Sequence, residues 1–83
     1  MTNGVQMLLD EKTLVPKYIT DYLINRHVSG DWGGVGAEDS AMNDAAVKNG
    51  DRLLSSYTIS GEKVWVITEA DRSSTTMLLP SEY

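Results

Sequence analysis

Val64-Trp-Val-Ile-Thr-Glu-Ala-Asp-Arg-Ser-Ser-Thr-Thr-Met-Leu-Leu-Pro80 decides the fold class of this chain. Two apolar runs, 64–68 and 75–79, flank a polar knot, Glu69-Ala-Asp-Arg-Ser73. That pattern reads as two strands of a small sheet with a charged connection between them. Pro80 cannot continue a ladder, so the second strand stops there. Upstream, Arg52-Leu-Leu-Ser-Ser-Tyr-Thr-Ile59 alternates. Leu53, Ser55, Tyr57 and Ile59 share one face, and Leu54, Ser56 and Thr58 share the other. Ser60-Gly61 with Glu62 spells a short hairpin turn, from which Lys63–Thr68 returns antiparallel. Ser74–Leu79 completes a three-stranded meander.

Two helices are expected before the meander. Thr13 is a candidate N-cap, and Pro16 falls in the first turn, where its missing N–H costs nothing. Tyr18, Ile19, Tyr22, Leu23 and the stem of Arg26 follow at helical spacing as one buried stripe, with Asp21 and Asn25 opposite. Val28-Ser-Gly30 ends this helix. Ala37–Asn49 forms the second. Glu38 and Asp39 open it and Lys48 closes it, as the helix dipole favours, and Asn49-Gly50 is a left-handed stop. Ala41, Met42, Ala45 and Ala46 make a narrow face that would let it lie close against the sheet. Val5-Gln-Met-Leu-Leu9 is a short apolar run suited to an edge strand, followed by a turn at Asp10-Glu-Lys12. The expected fold is alpha+beta, β-α-α-β-β-β, with two helices on one face of a three- to four-stranded antiparallel sheet, in a single domain spanning 1–83.

Composition narrows the function. Twelve acidic and seven basic residues give a net charge of −5, and the bases are scattered. Direct nucleic-acid binding is therefore not expected, since phosphate affinity needs clustered Lys and Arg. There is no cysteine and one histidine, which argues against a zinc site of the usual kind. Phenylalanine is absent too, so Trp32, Trp65 and four tyrosines supply the aromatic surface, each with a polar group needing a partner. No segment approaches the roughly 18–20 apolar residues of a membrane span. Met1-Thr-Asn-Gly4 lacks the form of a signal peptide, so a cytoplasmic location is expected. A small core leaves a homodimer open.

Two loops gather chemistry-bearing residues. Gly30-Asp-Trp-Gly-Gly-Val-Gly36 holds four of the seven glycines around Trp32, with His27, Asp31, Glu38 and Asp39 beside it. The strand turn holds Glu69, Asp71 and Arg72. If the two loops met, carboxylates, an imidazole and a guanidinium would share one site, fit for a divalent cation or for acid–base work. The simpler explanation is structural. Asp71 can cap its own turn, Arg72 can pair with Glu69 or Asp71, and His27 sits well at a helix C-terminus. Trp32 among glycines is either an anchor folded back on the core, the commoner arrangement in a small domain, or an exposed contact. Gly33-Gly-Val-Gly36 is no phosphate loop, because a helix precedes it and acids follow it.

The segments Arg26-His-Val-Ser-Gly-Asp-Trp-Gly33, Glu38-Asp39, Asn43-Asp-Ala45, Gly50-Asp-Arg-Leu-Leu-Ser55 with Tyr57, Trp65–Ser73, Thr75–Pro80 and Glu82-Tyr83 carry a likeness. From Ser29 onward the chain resembles a group of small bacterial proteins of unknown activity, often encoded on plasmids and other mobile elements. The resemblance implies no catalytic residue. It does imply an idea: small acidic proteins of such elements include inhibitors of host defence, anti-CRISPR and anti-restriction proteins among them. These bind protein surfaces that normally hold nucleic acid.

The leading expectation is thus a non-enzymatic interaction protein without cofactor or metal, acting on a protein partner. Its contact patch would be Asp31, Trp32, Glu38, Asp39, Glu69, Asp71 and Arg72, the acids meeting Lys or Arg of the partner and Trp32 supplying an apolar anchor. The alternatives are a small hydrolase or nuclease-related enzyme using the carboxylates and His27, and a structural homo-oligomer subunit.

Overall fold

The hairpin at Ser60-Gly61 sets the register of the sheet. Both residues have positive φ, 50° and 84°, as a two-residue type I′ turn requires. In the computed structural model, which describes residues 1–12, 14 and 16–83, this turn joins β1 (Leu53–Ile59) to β2 (Glu62–Thr68). Ile59 pairs with Glu62, Ser55 with Val66 and Leu53 with Thr68. β3 (Thr75–Leu78) adds to β2 with Val66 opposite Met77 and Thr68 opposite Thr75, giving the order β1-β2-β3, all antiparallel. Among the described residues, three helices precede the sheet: α1 (Asn3–Glu11), α2 (Pro16–Val28) and α3 (Ala37–Asn49). A 3-10 turn, Pro80–Glu82, follows it.

The alternation read from β1 holds. Leu53, Ser55, Tyr57 and Ile59 are buried on the front face, where Val64, Val66 and Met77 join them. Val5, Leu8 and Leu9 of α1 and Leu23 of α2 close this core. The fold is alpha+beta as expected, but the order is α-α-α-β-β-β.

The N-terminal run is the main correction. Val5-Gln-Met-Leu-Leu9 is helix, not an edge strand. A run this short suits either element, and its flanks decide. Thr2 caps the first turn, its hydroxyl accepting from the Val5 N–H. Val5, Leu8 and Leu9 fall at i, i+3 and i+4 on the buried side. The Glu82 carboxylate then sits at the helix N-terminus, accepting from the Thr2 hydroxyl at 2.6 Å and the Gly4 N–H at 3.2 Å. An anion is favourable there, and these bonds hold its pKa below the usual carboxylate value. Gly4 leaves room for this approach, since a Cβ there would lie 2.6 Å from the carboxylate and make the Glu82 side chain shift.

Two helix faces also differ from expectation. α2 begins at Pro16, later than a cap at Thr13 would start it, and Leu14 is not helical; the expected cap, Thr13, lies outside the described residues. The buried stripe of α2 runs through Leu23 and His27, with Ile19 and Ile24 packed at its margin. Tyr18 and Tyr22 instead face solvent, and Arg26 lies over the rings of Tyr22 and Tyr57. α3 has the expected ends, with Gly50 left-handed at φ 78°. It does not lie flat on the sheet through Ala41, Met42 and Ala45, which are exposed. Asn43 and Ala46 are its buried residues, and they meet β1.

Asn43 explains that placement. Its amide donates to the Leu54 carbonyl at 2.5 Å and accepts from the Leu54 N–H at 3.1 Å. The glycine loop satisfies the next outward pair: Ser56 N–H donates to the Trp32 carbonyl, and Gly34 N–H to the Ser56 carbonyl. Gly33 must be glycine, because its φ is 71° and a Cβ would collide with the Ser56 carbonyl. The far edge is closed as well. Thr2 N–H donates to Met77 O, and Leu79 N–H to the Glu82 carboxylate.

Asn43→Ala should therefore lower the free energy of unfolding by about 2 kcal/mol, because it orphans both Leu54 backbone groups. Urea denaturation measures this; an unchanged midpoint would show that the side chain contributes nothing to the edge.

Candidate functional site

α3 divides the expected contact patch. Glu38 and Asp39 open the helix, and the 69–72 turn meets its C-terminal end, about 18 Å away at 1.5 Å per residue. Asp31 and Trp32 lie on the loop that runs into the helix from α2.

Asp31 is engaged within the chain. Its carboxylate pairs with Arg26 at 2.7 Å and accepts from the Gly33 N–H at 3.1 Å. The guanidinium, then that N–H, hold its pKa below the ordinary carboxylate value. Trp32 is only 6% exposed. It packs on Ala46 and Leu53, and its indole N–H donates to Asp44 at 3.0 Å. It is the core anchor that the glycine setting suggests, and burial leaves it little surface to offer as the apolar anchor of a contact patch.

Arg72 is a staple too, but not through an ion pair with Glu69 or Asp71. Its guanidinium donates to the backbone carbonyls of Ala46, Asp51 and Glu69 at 3.1, 2.7 and 3.2 Å. That joins the turn to the end of α3, where a cation suits the dipole. The turn holds Arg72 at φ 62°. Asp71 caps its own turn as expected, accepting from the Ser73 N–H at 3.0 Å. Ser73 contacts also hold the Asp71 pKa low. Glu69 pairs with Arg52 instead, at 3.5 Å.

His27 does not join the carboxylates. It is buried, its Nδ1 bonded to Ser55 Oγ at 2.5 Å and its Nε2 to Thr68 Oγ1 at 2.8 Å. Thr68 is bonded onward to Thr75 at 2.8 Å. The order Ser-His-Thr resembles a nucleophile–base pair only in composition. Ser55 is fully buried, and the base has a hydroxyl, not a carboxylate, behind it. Among the described residues, no three His, Cys, Asp or Glu side chains gather as a metal would need. A hydrolase built on His27 and the loop carboxylates is not assembled by this geometry.

What the structure does assemble is a groove on the side of α3 away from Trp32. Asp39 and Asp51 flank it, and Met42, Ala46 and Leu54 form its apolar floor, over about 450 Å³. Arg52 and Leu54 connect it to a hollow of about 220 Å³ on the back of the sheet, lined by Trp65, Ile67 and Tyr83. Tyr83 meets Trp65 edge-on at 5.7 Å, and Arg52 lies over the Tyr83 ring while donating to its hydroxyl at 2.8 Å. Among the described residues, Glu38, Asp39, Asp51 and Asp71 form no ion pair. Of the expected patch, Asp39 borders the groove and Glu69 meets it through Arg52; Asp31 and Trp32 do not. Met42, Asp51, Leu54, Trp65 and Tyr83 are the additions. The strand pattern carried a signal for Trp65. Val64-Trp-Val-Ile67 is apolar on both faces of β2, and helices can cover only one.

No protein-family model matches the chain, and no curated protein or solved structure gives a significant match. No helix among the described residues is long and apolar enough to cross a membrane.

The His27 environment has a consequence in acid. Burial holds the His27 pKa below its ordinary value of 6.5. The folded state then binds a proton less readily than the unfolded chain. Stability is complete above about pH 6.5 and falls as the pH drops from there toward the folded pKa. His27→Gln should be less stable at pH 8 yet lack this loss between pH 6.5 and 5, read from urea midpoints across pH. An equal slope in both proteins would remove His27 as its source.

Proposed function

We propose that this chain is a non-enzymatic binding protein whose groove beside α3 receives a basic surface of a partner protein. The carrying observation is the pairing of free carboxylates, Asp39 and Asp51, with an apolar floor that continues to Trp65 and Tyr83. Interfaces draw most of their energy from aromatic anchors, and a surrounding charge steers and orients the partner. A partner Lys or Arg fits this lining, with its stem on Met42 and Leu54 and its cation at the carboxylates.

Proteins that hold nucleic acid present such basic surfaces. The likeness to mobile-element proteins favours, among them, a host defence effector, so that the chain acts as an anti-CRISPR or anti-restriction inhibitor. An acidic domain suits that role because it competes with phosphates for the same cations. The chain itself would not contact nucleic acid.

Affinity capture from bacterial lysate tests the reading, using tagged wild type beside the double variant E38K/D39K. The wild type should retain a specific protein, released by salt and by competing nucleic acid, and the variant should not. Both side chains are exposed, so the variant should melt within a few degrees of wild type, losing only the helix-end charge effect of about 0.3–1 kcal/mol per residue. Equal capture by both would exclude this groove.

A further inference from the structure

A second cleft lies on the opposite side of α3 from the proposed contact groove. It has a volume of about 610 Å³, within the range of small-molecule sites. It opens where the C-terminal ends of α2 and α3 part over the front face of the sheet. α1 and α2 cover that face around Tyr57, Val64 and Val66; at the corner of Leu53, Thr68 and Thr75, α2 reaches Thr68 through His27 and α3 reaches Leu53 through Ala46, and the cleft opens between them.

Its lining is amphipathic. Val28 and Val47 form the two lips and are 73% and 59% exposed. Trp32 and Leu53 continue the apolar wall inward. Two cations, Lys48 and Arg72, line the same cleft, in a chain with only seven. Neither forms an ion pair among the described residues. Arg72 is occupied by carbonyls of the α3 end, so its charge offsets that dipole, while Lys48 keeps its ammonium available. Asp44, the one carboxylate in the lining, accepts the Trp32 indole N–H.

The floor adds a directed donor. Neutral His27 carries one N–H and one bare nitrogen. When the proton is on Nε2, Ser55 donates to Nδ1, Nε2 donates to Thr68, and Thr68 donates to Thr75. Thr75, which is exposed and lines the cleft, then has its own O–H free to donate. An acceptor placed there holds the chain in that order.

We propose that this cleft binds a small carboxylate with an apolar body, the body lying between Val28 and Val47 and the carboxylate meeting Lys48 and the Thr75 hydroxyl. The chemistry differs from that of the contact groove, where acids await cations, and the two sites are independent. Octanoate, octanol and octylamine, each titrated into isotope-labelled full-length protein and followed by amide and methyl NMR shifts, test it. Octanoate should shift Val28, Val47 and Thr75 saturably, with octanol about tenfold weaker and octylamine inert, since tenfold corresponds to 1.4 kcal/mol, the scale of one charge-assisted bond. K48E should remove the preference for octanoate over octanol, and V47W should fill the cleft and abolish both. The proposal is overturned if octanoate produces no saturable shift in this cleft, or if octanol or octylamine binds as tightly.

Discussion

The outer edge of β1 governs the architecture. An edge strand presents unpaired N–H and C=O groups that invite another chain, and here Leu54 and Ser56 present two pairs. Asn43 satisfies the first with one side-chain amide; the backbone of Trp32 and Gly34 satisfies the second. Both donors of cover come from the same stretch of chain, which fixes α3 alongside the sheet instead of on it. Trp32 is buried as a result, since the loop that bonds Ser56 presses the indole onto Leu53 and Ala46. Standing at the edge, α3 also creates two concavities, one on each side of it. The molecule's candidate sites are products of how one strand edge is closed.

Charge follows the same logic. The −5 balance describes the whole chain, but the surface field depends on which charges are engaged inside it. Arg26 holds Asp31, Arg52 holds Glu69 and Tyr83, and Arg72 holds carbonyls at the end of α3. Three of the seven bases therefore serve as fasteners between elements. The acids at the start of α3, Glu38 and Asp39, have no such duty among the described residues, so their charge faces solvent.

The strands and the ends of α3 were legible because short-range rules decide them: alternation in β1, two positive-φ residues in the hairpin, and a glycine after Asn49. Other features depend on partners distant in sequence. Val5–Leu9 becomes helix because Thr2 and Glu82 meet at its start, 80 residues apart. Tyr18 and Tyr22 share helical spacing with Ile19 and Leu23, and periodicity alone does not choose which edge of a wide apolar stripe faces inward. Asn43 reads as an ordinary surface residue until its strand partner is known. For the candidate site, the acids at Glu38 and Asp39 are visible in the sequence, whereas the aromatic hollow at Trp65 and Tyr83 depends on which face of β2 the helices leave bare. The even-numbered face of β1 and the Trp65–Ile67 positions of β2 carried that information.

The Glu82 carboxylate joins the first turn of α1 to the last turn of the chain, and Tyr83 next to it lies on the back of the sheet. Local opening in proteins proceeds in contiguous cooperative units. The two termini therefore form one such unit despite belonging to opposite faces. When the clasp releases, α1 frays on one side while the Tyr83 wall lifts from Trp65 on the other. Amide exchange near Gly4 then reports on the breathing of a groove that α1 never touches.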